Sequence, residues 1–147
     1  MKLFVMLIIL FSGCLGTTQA GINHILSTYL KSNLLAALIS FIVGTIALFV
    51  IVLILRIPLP ESHILPKVPW WAWLGGLLGA FLVTATIYAV PKLGATTMFA
   101  LFIAGQLIAS IIYDHFGVLG YPQHPVSIIR IIGVALIFIG VTLVKYF

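Results

Sequence analysis

Charge is what this sequence has least of: 6% of its 147 residues are charged, where a soluble domain carries about 25%. Acids are scarcer still, Glu61 and Asp114 being the whole complement. A surface so poor in charge does not dissolve in water, and with 63% hydrophobic residues and a mean hydropathy of +1.34 a soluble globular domain is excluded. Near-absence of acids also removes paired carboxylates from the middle of any apolar run, and with them the usual membrane-embedded proton or cation site. The single cysteine, Cys14, rules out an intramolecular disulfide and a CxxC metal site, and its apolar surroundings make it a small hydrophobe.

What remains is apolar sequence cut by breakers into five runs, at about 3–22, 34–55, 70–90, 95–113 and 128–144. Each has the roughly 20 residues that cross a hydrocarbon core of about 30 Å, which leaves no length for an extramembrane domain. In lipid only a helix or a closed barrel satisfies every backbone group, and the runs lack the period-two alternation of barrel strands. The expected fold is an all-α integral membrane protein, a single membrane domain of five transmembrane helices. The boundaries follow from the breakers. The polar stretch 23–33 ends the first run, with Ser32 or Asn33 capping the second, and Arg56 with Pro58, Pro60 and Pro66 closes that one. Pro69 suits a first helical turn, Pro91-Lys92-Leu93-Gly94 reads as a tight turn, and the segment from Asp114 to the last run is polar, with two glycines and two prolines. Met1-Lys2 and the first run imitate a secretory signal, but the run is long enough to span and no domain needing secretion follows, so it is expected to be retained.

The net charge of +5 does not point to nucleic acid, because the seven cations stand singly between apolar runs, as headgroup anchors do. With five spans, Lys2, Arg56, Lys67 and Arg130 fall on one side of the membrane and Lys31, Lys92 and Lys145 on the other. Four against three is too even for the positive-inside rule to fix an orientation, so insertion both ways is expected.

Small residues recur at helical spacing, for example Ser12, Gly16 and Ala20, or Ala36, Ser40 and Gly44, with Gly75, Gly76 and Gly79, Gly105 and Ala109, and Gly133 and Gly140 in the later runs. They are expected to let helices approach closely within the monomer, with dimerisation through one such face as the alternative. Trp70, Trp71, Trp73 and Tyr88 bracket the third run as interfacial anchors. Polar groups at membrane depth are costly and therefore informative. Gln106, Ser110 and Asp114, four apart, share one face of the fourth helix; Gly16, Gln19 and Asn23 share one face of the first, and Ser40 adds a hydroxyl from the second. Serines and threonines can bond their own helix, whereas a primary amide has more donors and acceptors to satisfy, so Gln19 and Gln106 carry more weight. All four histidines, His24, His63, His115 and His124, are placed in loops without ligand spacing, so neither a metal site, a cofactor nor an enzyme activity is expected.

Taken together, Gly16-x-x-Gln19-x-x-x-Asn23, Ser40-Phe41-x-x-Gly44-Thr45 and Pro69-Trp70-Trp71-Ala72-Trp73-Leu74-Gly75-Gly76 form a distinctive set. With Pro91-x-Leu93-Gly94, Gly105-Gln106-x-x-x-Ser110, Asp114-His115-Phe116-Gly117, Arg130, Gly133 and Gly140, the chain resembles the YdcZ-like family of the drug/metabolite transporter superfamily, a group of inner-membrane exporters. The resemblance implies a five-helix unit equal to half of a ten-helix inverted-repeat transporter, so that a lone copy would work as an antiparallel homodimer. It departs from the small multidrug exporters of that superfamily, which use a glutamate in the first helix; here that helix has no acid, so proton-coupled export of a cation does not carry over.

The reading is therefore a small secondary transporter in the lipid bilayer of the inner membrane. Its weakly polar cavity would be lined by Gln19, Asn23, Ser40, Gln106 and Ser110, with Asp114 at a helix end, and would take a small-molecule substrate by alternating access. A non-transporting assembly or lipid-binding component is the first alternative, and a polytopic enzyme using Asp114, His115 and His124 the second.

Overall fold

A computed structural model describes residues 2–146. The chain is all-α among these residues: α1 (Lys2–Leu30), α2 (Asn33–Ile54), α3 (Gly75–Leu93), α4 (Ala95–Phe116) and α5 (Ile128–Tyr146), with short 3-10 turns at Leu65–Lys67, Trp70–Leu74 and Val118–Gly120. Four of the helical stretches are long and apolar enough to cross a membrane, and α5 contributes a shorter apolar stretch at Ile128–Leu143. This is the five-helix membrane fold expected from the runs.

The helix ends differ from expectation for local reasons. The polar stretch beginning at Asn23 does not end α1, which runs on to Leu30, because Ser and Thr are compatible with helix when their hydroxyls bond carbonyls of the preceding turn. Ser27 Oγ donates to the His24 carbonyl at 2.7 Å and Thr28 Oγ1 to that of Ile25 at 2.7 Å. The chain reverses at Lys31, held at φ 53°, where the Ser32 N–H donates to the Ser27 carbonyl at 3.2 Å, a Schellman closure. Ser32, extended at φ −158°, then caps α2 by accepting from Leu35 N at 3.2 Å, as expected. α2 closes in the same way: Arg56 sits at φ 50°, with Ile57 N donating to Val52 O at 3.1 Å and Arg56 N to Leu53 O at 3.1 Å. Both left-handed positions carry cations rather than glycine, which places positive charge at helix C-termini, where the helix dipole favours it.

Pro69 precedes a 3-10 turn rather than opening an α-helix, and the exposed rings of Trp70, Trp71 and Trp73 stand on that turn as interfacial anchors would. Pro91 lies inside the last turn of α3, so the expected tight turn contracts to Gly94, whose φ of 75° with ψ 155° suits only glycine. Near that end Lys92 Nζ stands 3.5 Å from the centroid of the Tyr88 ring, a cation–π pair one turn apart.

The described residues fall into two compact units, divided between Lys92 and Leu93. In the first, α1 packs on α2, and the core is Ala36, Ala37 and Ile87, with Leu26, Leu30 and Val83 against it. Alanines make this close approach; the glycines do not. A Cβ added at Gly16, Gly44, Gly105, Gly133 or Gly140 would meet no atom within 4 Å among the described residues, and Gly79 meets a side chain, the Phe41 ring at 3.3 Å. Within its own unit each of these glycines except Gly79 is thus left open. In the second unit α4 packs on α5.

Candidate functional site

The first unit carries a groove of about 360 Å³ between α1 and α2. Gln19, Asn23 and Ser40, proposed from sequence as cavity residues, line it together. The helical arithmetic explains their convergence: Gln19 and Asn23 are one turn apart on α1, and the reversal at Lys31 brings Ser40, on the second turn of α2, back beside them. The rest of the wall is largely apolar, from Leu15, Ile22 and Leu26 on one helix and Ile39 and Val43 on the other. Thr18 also faces it, but its hydroxyl donates to the Cys14 carbonyl at 3.0 Å.

Asn23 is 4% exposed, and its Nδ2 is buried without a hydrogen-bond partner among the described residues. A buried amide donor left unpaired costs about 1–3 kcal/mol, so this position is held against a standing penalty. His24 Nδ1 is likewise buried and unpaired. Gln19 is exposed on α1, and its amide has no partner among the described residues. It lies twelve residues before Lys31, about 18 Å along the helix and hence near mid-membrane if Lys31 marks a headgroup level.

The second unit holds Gln106, Ser110 and Asp114 on one face of α4, as their spacing predicts, lining a cavity of about 300 Å³ with Tyr113 and Tyr121. The two tyrosine rings stack, with centroids 6.2 Å apart at 11°. Gln106 is exposed with no partner among the described residues, whereas Ser110 Oγ donates to the Leu107 carbonyl at 2.9 Å. A neighbouring cavity of about 350 Å³ brings Ser110 and Asp114 to Arg130, Gly133 and Val134 of α5.

Here sequence reasoning missed the pairing that organises the region. Arg130 Nη1 donates to Asp114 Oδ2 at 3.3 Å and to the His124 carbonyl at 3.4 Å, while His124 N donates to the Asp114 carbonyl at 2.7 Å. Counted as a headgroup anchor, Arg130 instead ties the start of α5 to the end of α4. The available signal was the scarcity of acids: an arginine just inside an apolar helix needs an anion, and Asp114 is the acid beside an apolar run. His115 and His24 are helical, not in loops, because α4 continues to Phe116 as α1 does to Leu30. His115 Nδ1 accepts from Val126 N at 3.3 Å and its carbonyl accepts from Gln123 Nε2 at 3.1 Å, so these residues fasten the connecting segment to α4. His63 Nδ1 lies 3.1 Å from Glu61 Oε2, both well exposed. No group of three His, Cys, Asp or Glu among the described residues is placed to hold a metal ion.

Residues 4–143 match the family described as “Putative inner membrane exporter, YdcZ”. The chain belongs to this family. It is similar to the inner membrane protein YdcZ of Escherichia coli (strain K12), 37% identical over 90 residues, a stretch covering 60% of each chain. The match thus spans less than two thirds of that relative's length. No solved structure matches. Membership in the YdcZ family, with the apolar helices, makes this a multi-pass protein of the inner membrane.

Proposed function

We propose that this YdcZ-family chain is a small secondary transporter that exports a small, uncharged solute across the inner membrane. It acts as one membrane domain, working as an antiparallel homodimer by alternating access. The observation that carries the reading is the pair of unpaired amides, Gln19 on α1 and Gln106 on α4, both exposed within apolar helices. An amide bare to hydrocarbon costs several kcal/mol, so each must face a partner helix or a wet cavity. A solute path between two copies supplies both.

Three further features support it. The family is one of exporters by its description. Five helices are an odd number, so a second copy must enter inverted to build the two-fold related halves of such transporters, and the even split of cations permits that. The open glycine faces offer surfaces on which a second copy can pack closely. Gln19, Asn23 and Ser40 then form one polar face of the path and Gln106, Ser110 and Asp114 another.

The test is flux. Purified protein in liposomes should move at least one uncharged metabolite or dye from a broad panel under a pH, sodium or solute gradient, with Gln106→Leu lowering the movement roughly tenfold. Absence of flux under every gradient, with Gln106→Leu still assembling normally, would instead favour the non-transporting membrane component.

A further inference from the structure

Along the seam of α4 and α5 the second unit carries a groove of about 350 Å³ whose charge is confined to one end. Leu107, Ile111 and Asp114 line it from α4, and Arg130, Val134 and Ile137 from α5. Each set follows the three- and four-residue steps of one helix face, so the two stripes run alongside each other for about 10 Å. Because Arg130 pairs with Asp114, the charged ends of the stripes meet, and Leu107 and Ile137 lie at the far, apolar end. The Ser110 hydroxyl in the wall is spent on the Leu107 carbonyl, and Gly133 adds no side chain, so below the mouth no polar side chain awaits a partner. The mouth lies at the helix ends, with Asp114 two residues before the end of α4 and Arg130 the third residue of α5, which is headgroup level when both helices span.

The ion pair leaves hydrogen-bonding capacity over. Arg130 spends Nη1 on Asp114 Oδ2 and the His124 carbonyl, and its Nε and Nη2 hydrogens have no partner among the described residues. Asp114 Oδ1 likewise has none, and none of these atoms is buried. With the two side chains 36% and 27% exposed, a free donor edge and a free acceptor stand side by side at the mouth, open to a ligand. We propose that the groove holds a phospholipid whose headgroup joins a phosphate to a primary ammonium, as in phosphatidylethanolamine, with an acyl chain along the apolar seam. The phosphate accepts from the free edge of Arg130, the ammonium donates to Asp114 Oδ1, and the chain runs from Ile111 and Val134 towards Leu107 and Ile137. Charge complementarity selects this occupant. A phosphate alone sets its charge beside Asp114, a cation alone sets its charge beside Arg130, and a quaternary ammonium has no hydrogen to give. The site goes beyond the transporter reading and stands whether or not a solute moves.

In the experiment the full chain, held in nanodiscs of equal parts of lipids that share acyl chains, is released into mild detergent, and its retained lipids are counted by native mass spectrometry. The headgroups form a methylation series, from the primary amine of phosphatidylethanolamine to the quaternary amine of phosphatidylcholine, with phosphatidylglycerol as the anion that lacks an amine. Phosphatidylethanolamine should be retained about tenfold over phosphatidylcholine, the worth of one charge-assisted hydrogen bond, and above phosphatidylglycerol as well. A diazirine in its acyl chain should, on irradiation, label the α4–α5 seam. Asp114→Asn, which keeps the shape and removes the charge, should level the series. Should that variant fail to fold, the series on the unaltered chain decides alone. Equal retention of phosphatidylethanolamine and phosphatidylcholine, phosphatidylglycerol retained above both, or labelling spread evenly over all helices overturns the proposal. So does displacement by excess phosphoethanolamine, the headgroup without chains, which would make the occupant a soluble solute. Liposome flux is read separately: selective retention without flux leaves the lipid site and removes transport, whereas flux without selective retention removes the site and leaves transport.

Discussion

Arg130 Nη1 stands 3.3 Å from Oδ2 of Asp114, sixteen residues earlier in the chain. Both side chains are about one-third exposed, at 36% and 27%, so the pair is neither a surface contact screened by water nor a fully buried one. Its role is to hold the connecting segment, through the His124 carbonyl, against the end of α4. Because Asp114 also lines both cavities of the second unit, what fixes Arg130 fixes the cavity walls.

Arg130→Ala and Asp114→Ala should each lower thermal stability in detergent. The double variant should be less damaged than the two losses summed, with a coupling of about 1 kcal/mol for a charge pair about one-third exposed. A double-mutant cycle on melting temperatures measures it, and strict additivity would mean the two charges do not interact.

Gln19→Leu and Gln106→Leu should fold at least as stably as the unaltered chain, since neither amide has a partner to lose among the described residues. Under the transporter reading their flux falls roughly tenfold, on the order of one lost hydrogen bond in the path. Melting temperature and liposome flux on the same preparations check both halves of this.

Lys31 adopts φ 53°, in the region that strains a side-chain-bearing residue by about 1–2 kcal/mol. Lys31→Gly should therefore stabilise the α1–α2 reversal by up to about 1 kcal/mol, offset by the lost charge at the helix end. Ser32→Ala should cost about 1 kcal/mol through the lost cap on Leu35 N, and Ser32→Asp should recover it. Chemical denaturation of the detergent-solubilised protein ranks the three.

Single cysteines placed near each end of the described chain, in a Cys14→Ser background, test orientation with an impermeant thiol reagent on intact cells. About half of the molecules should be labelled at each end, because four cations against three do not choose a side. Labelling at one end alone would replace the antiparallel dimer with a parallel one or with another partner.

The sequence by itself determined the class of fold and the composition of both polar faces. Scarce charge and five apolar runs leave helices in lipid as the solution, and a spacing of four puts Gln19 with Asn23 and Gln106 with Ser110 and Asp114 wherever the helices go, because 3.6 residues per turn is a local property. The Ser32 cap was legible for the same reason. What lies between helices was not. That Ser40 meets Asn23 depends on the reversal at Lys31, a left-handed residue that no local preference for glycine announces. That alanines rather than glycines make the core, and that Arg130 reaches Asp114 instead of a headgroup, depends on how whole helices pair, in which each side chain's partner comes from a distant part of the chain. The burial of Asn23, which turns a polar residue into an unanswered donor, is likewise a product of packing, since burial is set by neighbours that the sequence does not name.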